Sequence, residues 1–128
     1  MPRRESIYLE GFAHKNPVPV AARIGPHLHS GVLTGRDPVT NEMPIELSAQ
    51  IRNIFLHVLE LMRAAGGSTE DIIKMTFYLA DYRNRDALNR EWVEMFPDAR
   101  NRPTRQVMSA VFDGDTLVQA DLIAIIGR

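Results

Sequence analysis

With 128 residues, the chain has the length of one domain, enough to bury roughly 65–70% of the surface its unfolded form exposes. Hydrophobic residues at 45% and charged residues at 24% fit a folded globular protein and exclude a disordered one. The 15 basic and 16 acidic side chains leave a net charge of −1, so no overall positive field recruits nucleic acid or an anionic membrane; the lack of cysteine excludes disulfides, thiolate nucleophiles and cysteine-bound metal centres.

Met1 to Glu10 has no continuous apolar core of the kind a signal peptide needs, and no uncharged apolar run approaches the ~20 residues that span a bilayer, so no membrane association and a cytoplasmic location are expected. Ser6 to Leu9 reads as a first strand. The two prolines in Asn16 to Pro19 force an extended, donor-poor loop or edge. Ala21 to Ile24 and His27 to Thr34 are strand material, separated by Gly25-Pro26 and closed by Gly35-Arg36-Asp37-Pro38. From Glu46 to Ala65 the apolar residues Leu47, Ile51, Ile54, Phe55, Val58, Leu61 and Met62 recur at three- and four-residue steps, which predicts a helix stopped by Gly66-Gly67.

Ser68 to Asp71 has the pattern of a capped single turn, and Ile72 to Ala80 that of a strand apolar on both faces. Asn84 to Met95 predicts a second helix, with Leu88, Trp92 and Met95 on one stripe and Pro97 beyond its end. Thr104 to Phe112 and Leu117 to Ile126 flank Asp113-Gly114-Asp115, a short-range signal for a hairpin. No internal repeat is present. The order predicts a single α+β domain over residues 1–128, with one mixed sheet of about six strands and two helices on one of its faces. The strands at Ile72–Ala80 and Leu117–Ile126 then leave an apolar face bare, and the partner that covers it is expected to be another copy of the chain. Clefts between copies become natural places for a site.

His27 and His29 project from the same side of a strand, but with no cysteine, no HExxH and no third ligand nearby they read as a polar or interface face, and no metal is expected. His14 and His57 read as surface groups. Ser30 before Gly31 lacks the flanking glycines of a nucleophile elbow, and Gly25, Gly31 and Gly35 match no nucleotide-binding loop, so no cofactor is expected. Arg100 and Arg102 read as a solvated loop face. Arg105 opens a mostly apolar strand, where a guanidinium needs an anionic partner and its planar fork suits a carboxylate. Asp121, between Ala120 and Leu122 in the most apolar strand, is either half of a structural salt bridge or a functional acid.

Several of these segments, taken in order, resemble the RidA/YjgF family, also labelled endoribonuclease L-PSP: Ser30-Gly31 after a strand, the loop Asp37-Pro38-Val39-Thr40-Asn41-Glu42-Met43-Pro44, Ala64-Ala65-Gly66-Gly67 ahead of Asp71-Ile72-Ile73-Lys74-Met75-Thr76, Asn89, and Arg102-Pro103-Thr104-Arg105. The similarity runs from about Asn16 to Ile126. It implies a chorismate-mutase-like α+β fold, a homotrimer with ligand clefts between subunits, and hydrolysis of reactive 2-imino or 2-enamino acids to keto acids and ammonia without a cofactor. Arg105 then matches the family's carboxylate-gripping arginine, and Asp121 stands where the family has a water-positioning glutamate. Ser30 and Gly31 match the backbone that lines the cleft. Val20 replaces the family's tyrosine and Val107 its cysteine, which makes the cleft more apolar and suits a bulkier substrate. Arg23, just after the Val20 segment, is a candidate second cation. The alternatives are a non-catalytic protein that binds a small carboxylate in the same cleft and, less favoured by the net charge, a ribonuclease or translation inhibitor.

Overall fold

A computed structural model describes residues 2–12 and 16–127. Its elements are β1 (Arg4–Ile7), β2 (Ala21–Ile24), β3 (His27–Ser30), β4 (Leu33–Thr34), α1 (Leu47–Ala64), a 3₁₀ turn (Thr69–Asp71), β5 (Ile72–Leu79), α2 (Asp86–Met95), β6 (Thr104–Ser109) and β7 (Val118–Ile125). All seven strands belong to one sheet in the order β1-β2-β3-β7-β5-β6, with β4 continuing alongside β7 after β3. Every pairing is antiparallel except that of β5 with β6, which α2 connects as a crossover.

α1 ends as its glycines require. Gly66 takes φ +80°, its N–H donates to Arg63 O at 3.1 Å, and Gly67 N–H donates to Met62 O at 2.9 Å. Arg23 adds a cap, donating from Nη1 to Ala65 O at 2.5 Å, where a cation also meets the negative end of the helix. The turn at Ser68 is capped in both directions, since Asp71 accepts from Ser68 N–H at 2.8 Å and Ser68 Oγ accepts from Glu70 N–H at 3.3 Å.

Both helices cover the same face. Phe77 of β5, fully buried, stacks on Phe55 of α1 with centroids 5.8 Å apart and meets Trp92 of α2 edge-on at 6.4 Å. Leu28, Leu33, Met75 and Leu122 from the sheet and Ile51, Ile54, Val58 and Leu61 from α1 complete the core. Gly35 lets the loop after β4 touch α1, because a Cβ there would lie 2.6 Å from Gln50 Cβ and 2.7 Å from its backbone. Gln50, also fully buried, ties three segments together: Nε2 donates to Pro44 O and Asp115 O, and Oε1 accepts from Leu117 N–H.

Three expectations are corrected. β6 and β7 do not form a hairpin: β5 lies between them, paired in parallel with β6 and antiparallel with β7. Asp113-Gly114 still turns, with Gly114 at φ +59°, but the connection passes over the end of β5, where Ala110 N–H donates to Leu79 O and Ala80 N–H donates to Leu117 O, each at 3.0 Å. Second, the segment His27 to Thr34 breaks at Gly31-Val32 into β3 and β4. Third, the uncovered face is mixed: Lys74, Thr76 and Tyr78 of β5 lie beside Gln119, Asp121 and Ile123 of β7, while Ile123 and Ile125 alone supply β7's apolar share. The alternation of β7 is regular, buried at Val118, Ala120, Leu122 and Ala124 and half-buried between them.

Candidate functional site

Arg105 lies in β6 opposite Met75 of β5, so its side chain shares the helix-covered face. There it reaches α2. Its Nη2 donates to Asn89 Oδ1 at 2.8 Å, and the guanidinium lies over the Trp92 ring at 5.1 Å from the centroid. Nη1 is buried without a hydrogen-bond partner, the only such side-chain atom among the described residues. Burial first, and then the charge of Arg85, lower the guanidinium pKa, although an arginine still keeps its proton. A desolvated, rigidly held fork with an idle donor is the arrangement that a carboxylate or another planar anion completes.

Asp121 lies in β7 opposite Thr76, on the uncovered face. No basic side chain among the described residues pairs with it within salt-bridge distance. Tyr78, its diagonal neighbour on β5, is held neutral instead: burial, the Asp121 charge and a hydrogen bond to that carboxylate all raise its pKa. Asp121 and Tyr78 line an open cavity of 360 Å³ with Val32, Val111, Phe112 and Gln119. A second cavity, of 630 Å³ between Tyr8, Leu9, Pro38, Leu56 and Arg63, touches neither Arg105 nor Asp121.

The arginine and the acid are therefore on opposite faces, two strand spacings apart, about 10 Å. One chain alone does not bring them around a small molecule. β6 is an edge strand, however, so Arg105 sits where the sheet of one copy ends.

The other residues singled out in the sequence fall as follows. Ser30 Oγ accepts from Leu122 N–H at 2.8 Å and donates to Gly31 O at 2.8 Å, patching the ladder where β3 breaks off. Gly31 N–H donates to Val20 O at 2.8 Å. Val20 is only 3% exposed and packs into the core, so its side chain does not line an open surface of this chain. Val107, two residues after Arg105 and opposite Phe77, is half-buried against the core. Arg102 donates to Phe96 O at 2.7 Å and fixes the exit from α2, whereas Arg100 is exposed. Arg23, the candidate second cation, caps α1 as described, and so has a structural task.

His27 and His29 are exposed on the uncovered face, and no group of three or more potential ligands gathers among the described residues. His14 lies outside the described residues. His57 is buried, contrary to expectation: its Nε2–H donates to Arg36 O at 2.8 Å, its ring meets Phe12 edge-on at 4.9 Å, and desolvation lowers its pKa. It falls on the inner stripe of α1, between Ile54 and Leu61. Sequence reasoning missed Tyr78 and Arg85. Tyr78 becomes visible as a partner of Asp121 only when β7 is known to pair with β5.

No helix of the described residues is long and apolar enough to cross a membrane. The family model described as endoribonuclease L-PSP matches residues 11–126. The fission-yeast (Schizosaccharomyces pombe) protein mmf1, described as mitochondrial, is 29% identical over 104 residues; the match covers 73% of this chain and spans 64% of that protein's length. A RutC family protein of Aquifex aeolicus is 29% identical over 96 residues, 71% of this chain and 77% of its own. The crystal structure of RidA from an Antarctic Psychrobacter superposes with a TM-score of 0.86 at 23% identity, covering 95% of this chain and 99% of that one, which shows a shared fold. With its matched span, strand order and helix placement, the chain belongs to the RidA/YjgF family of endoribonuclease L-PSP proteins.

Proposed function

We propose that this protein hydrolyses reactive 2-imino or 2-enamino acids to 2-keto acids and ammonia, in a cleft where Arg105 of one copy meets Asp121 of another. The observation that carries this reading is the half-buried Arg105 fork, fixed by Asn89 and Trp92 with Nη1 idle. A 2-imino acid supplies the missing carboxylate. Its protonated imine is already electrophilic, so a clamp, a placed water and a proton acceptor are enough.

In the forward step a water oxygen bonds to C2 while the neighbouring copy's carboxylate, Asp121 in that copy, takes a water proton. The C=N π pair moves onto nitrogen. The resulting 2-amino-2-hydroxy acid passes a proton to nitrogen, the C–N bond breaks as C=O forms, and ammonia leaves. No electrons are gained or lost overall, so the chemistry calls for no redox cofactor. Because Arg105 and Asp121 lie on opposite faces, this site needs a self-assembly, and a homotrimer is the form we adopt. A cytoplasmic place goes with this reading, and subcellular fractionation tests it.

The decisive experiment generates several 2-imino acids in situ with an amino-acid oxidase and follows ammonia and keto-acid release. Acceleration above the spontaneous rate is expected, and Arg105→Ala should lower kcat/KM by about 10²-fold or more while the assembly persists. No acceleration from a correctly assembled protein would leave small-carboxylate binding without turnover as the reading. The ribonuclease description of the family predicts salt-sensitive RNA binding, which the net charge of −1 does not favour.

A further inference from the structure

Arg105 is held by a side chain that gives it no counter-charge. A guanidinium can only donate, so the amide of Asn89 must turn its oxygen, and not its nitrogen, toward Nη2. Asn89 and Trp92 are three residues apart on one side of α2. Both reach the same guanidinium, one through a hydrogen bond of 2.8 Å and the other through a ring face whose centroid is 5.1 Å away. The hold fixes a plane and a direction and leaves the charge as it was.

Acids are at hand on the same helix and are not used. Asp86 and Arg85, both exposed, are the charged groups that share the Asn89 side of α2 at three and four residues' remove, and Asp86 makes no ion pair with Arg105. Glu91 is engaged with Arg52 at 3.8 Å, and no carboxylate among the described residues stands within ion-pair distance of Arg105. Nη1, buried without a partner, is the donor that remains for a ligand. An aspartate has nearly the shape of an asparagine, and at position 89 it would supply the negative charge that a bound carboxylate is otherwise needed to bring.

Building on the cleft reading above, we propose that Asn89 is the positioning residue of the clamp and that its neutrality sets the affinity of the site: it fixes the guanidinium plane and leaves the charge of Arg105 uncompensated until a carboxylate arrives. Asn89 acts through Arg105 and takes no part in the bond changes at C2.

The test exchanges neutrality for charge at nearly constant shape, and it reads binding, which requires no turnover. Calorimetric titration of the assembled protein with 2-ketobutyrate compares the wild type with Asn89→Ser and Asn89→Asp. Asn89 is exposed, so neither change removes core packing. Asn89→Ser loses reach but stays neutral and should bind about threefold more weakly. Asn89→Asp grips Arg105 more firmly than the wild type, yet should bind at least about tenfold more weakly at pH 7. A residue needed only to keep the arginine in place predicts the opposite order, because the firmer grip would then bind better. Trp92 is the single tryptophan of the chain, and its emission is a second readout: 2-ketobutyrate should shift it in the wild type and leave it unmoved in Asn89→Asp at the same concentration. Asn89→Asp binding as tightly as the wild type, or more tightly than Asn89→Ser, would overturn the inference, as would a wild type that does not bind 2-ketobutyrate. The expected order without hydrolysis of any imino acid would sustain it and reject the deaminase reading. Hydrolysis with the same KM in the wild type and Asn89→Asp would do the reverse.

Discussion

Asn89 and Trp92 constrain Arg105 from two directions, one through a directed hydrogen bond and the other through a ring face, so its plane matters as much as its charge. Arg105→Lys keeps the charge and loses the fork; kcat/KM on imino acids should fall roughly tenfold or more, mostly through KM. Tyr78 and Asp121 form a second coupled pair. Tyr78→Phe removes only a hydroxyl and should slow turnover by about three- to tenfold, while Asp121→Asn should bring the Tyr78 phenol back toward ordinary tyrosine behaviour in an ultraviolet titration, which checks that the two groups touch. His57 gives a stability prediction. Burial lowers its pKa below the unfolded value of 6.5, so the folded state binds the proton less readily than the unfolded one. The neutral ring's contribution is complete above pH 6.5 and is lost as the pH falls through the depressed folded value. Melting temperatures should therefore drop between pH 7 and the acid side of that window, more steeply in the wild type than in His57→Gln. The single residues that mattered most were legible because their chemistry clashed with their surroundings: a guanidinium and a carboxylate set in apolar strands. Tyr78, Arg85 and the burial of His57 were not, since each depends on which surface a neighbouring element covers.

At the scale of elements, α1 was readable almost to the residue because its apolar stripe, its terminating glycines and its length agree, with Glu46 and Ala65 as the caps of the helix itself. The β6–β7 connection misled for a physical reason. Asp-Gly specifies a reversal of the chain, and the chain does reverse there, but nothing local says whether the two strands become neighbours or straddle a third. The parallel β5–β6 pair takes the edge position that a hairpin would have used. Packing between elements offers its own test at Gly35, whose missing Cβ lets the loop touch α1 at Gln50. Gly35→Ala forces that contact apart and should cost about 2–3 kcal/mol by denaturant unfolding. Gln50→Ala takes the partner from two part-buried carbonyls and one N–H and leaves a cavity where the buried side chain stood, and should cost a similar amount.

For the whole molecule, the sidedness of the sheet carries the strongest prediction. If each cleft combines Arg105 from one copy with Asp121 from another, then inactive Arg105→Ala and Asp121→Asn proteins, unfolded together and reassembled, should regain activity at about a quarter of their sites, the share expected of random mixing in a closed ring. A cleft built from one chain would give no rescue. Sedimentation on the same samples fixes the number of copies. The sheet's strand order has a further consequence, in time. β7 leaves the ribosome after β1 to β6, yet it is the strand to which β3, β4 and β5 all pair. Until it is made, β1–β2–β3 and β5–β6 are two separate ribbons, and the apolar side of α1 has no finished sheet beneath it. The newborn protein must therefore wait, sticky and divided, for its own centre to be synthesised, and its exposure to chaperones should persist at least until β7 has emerged.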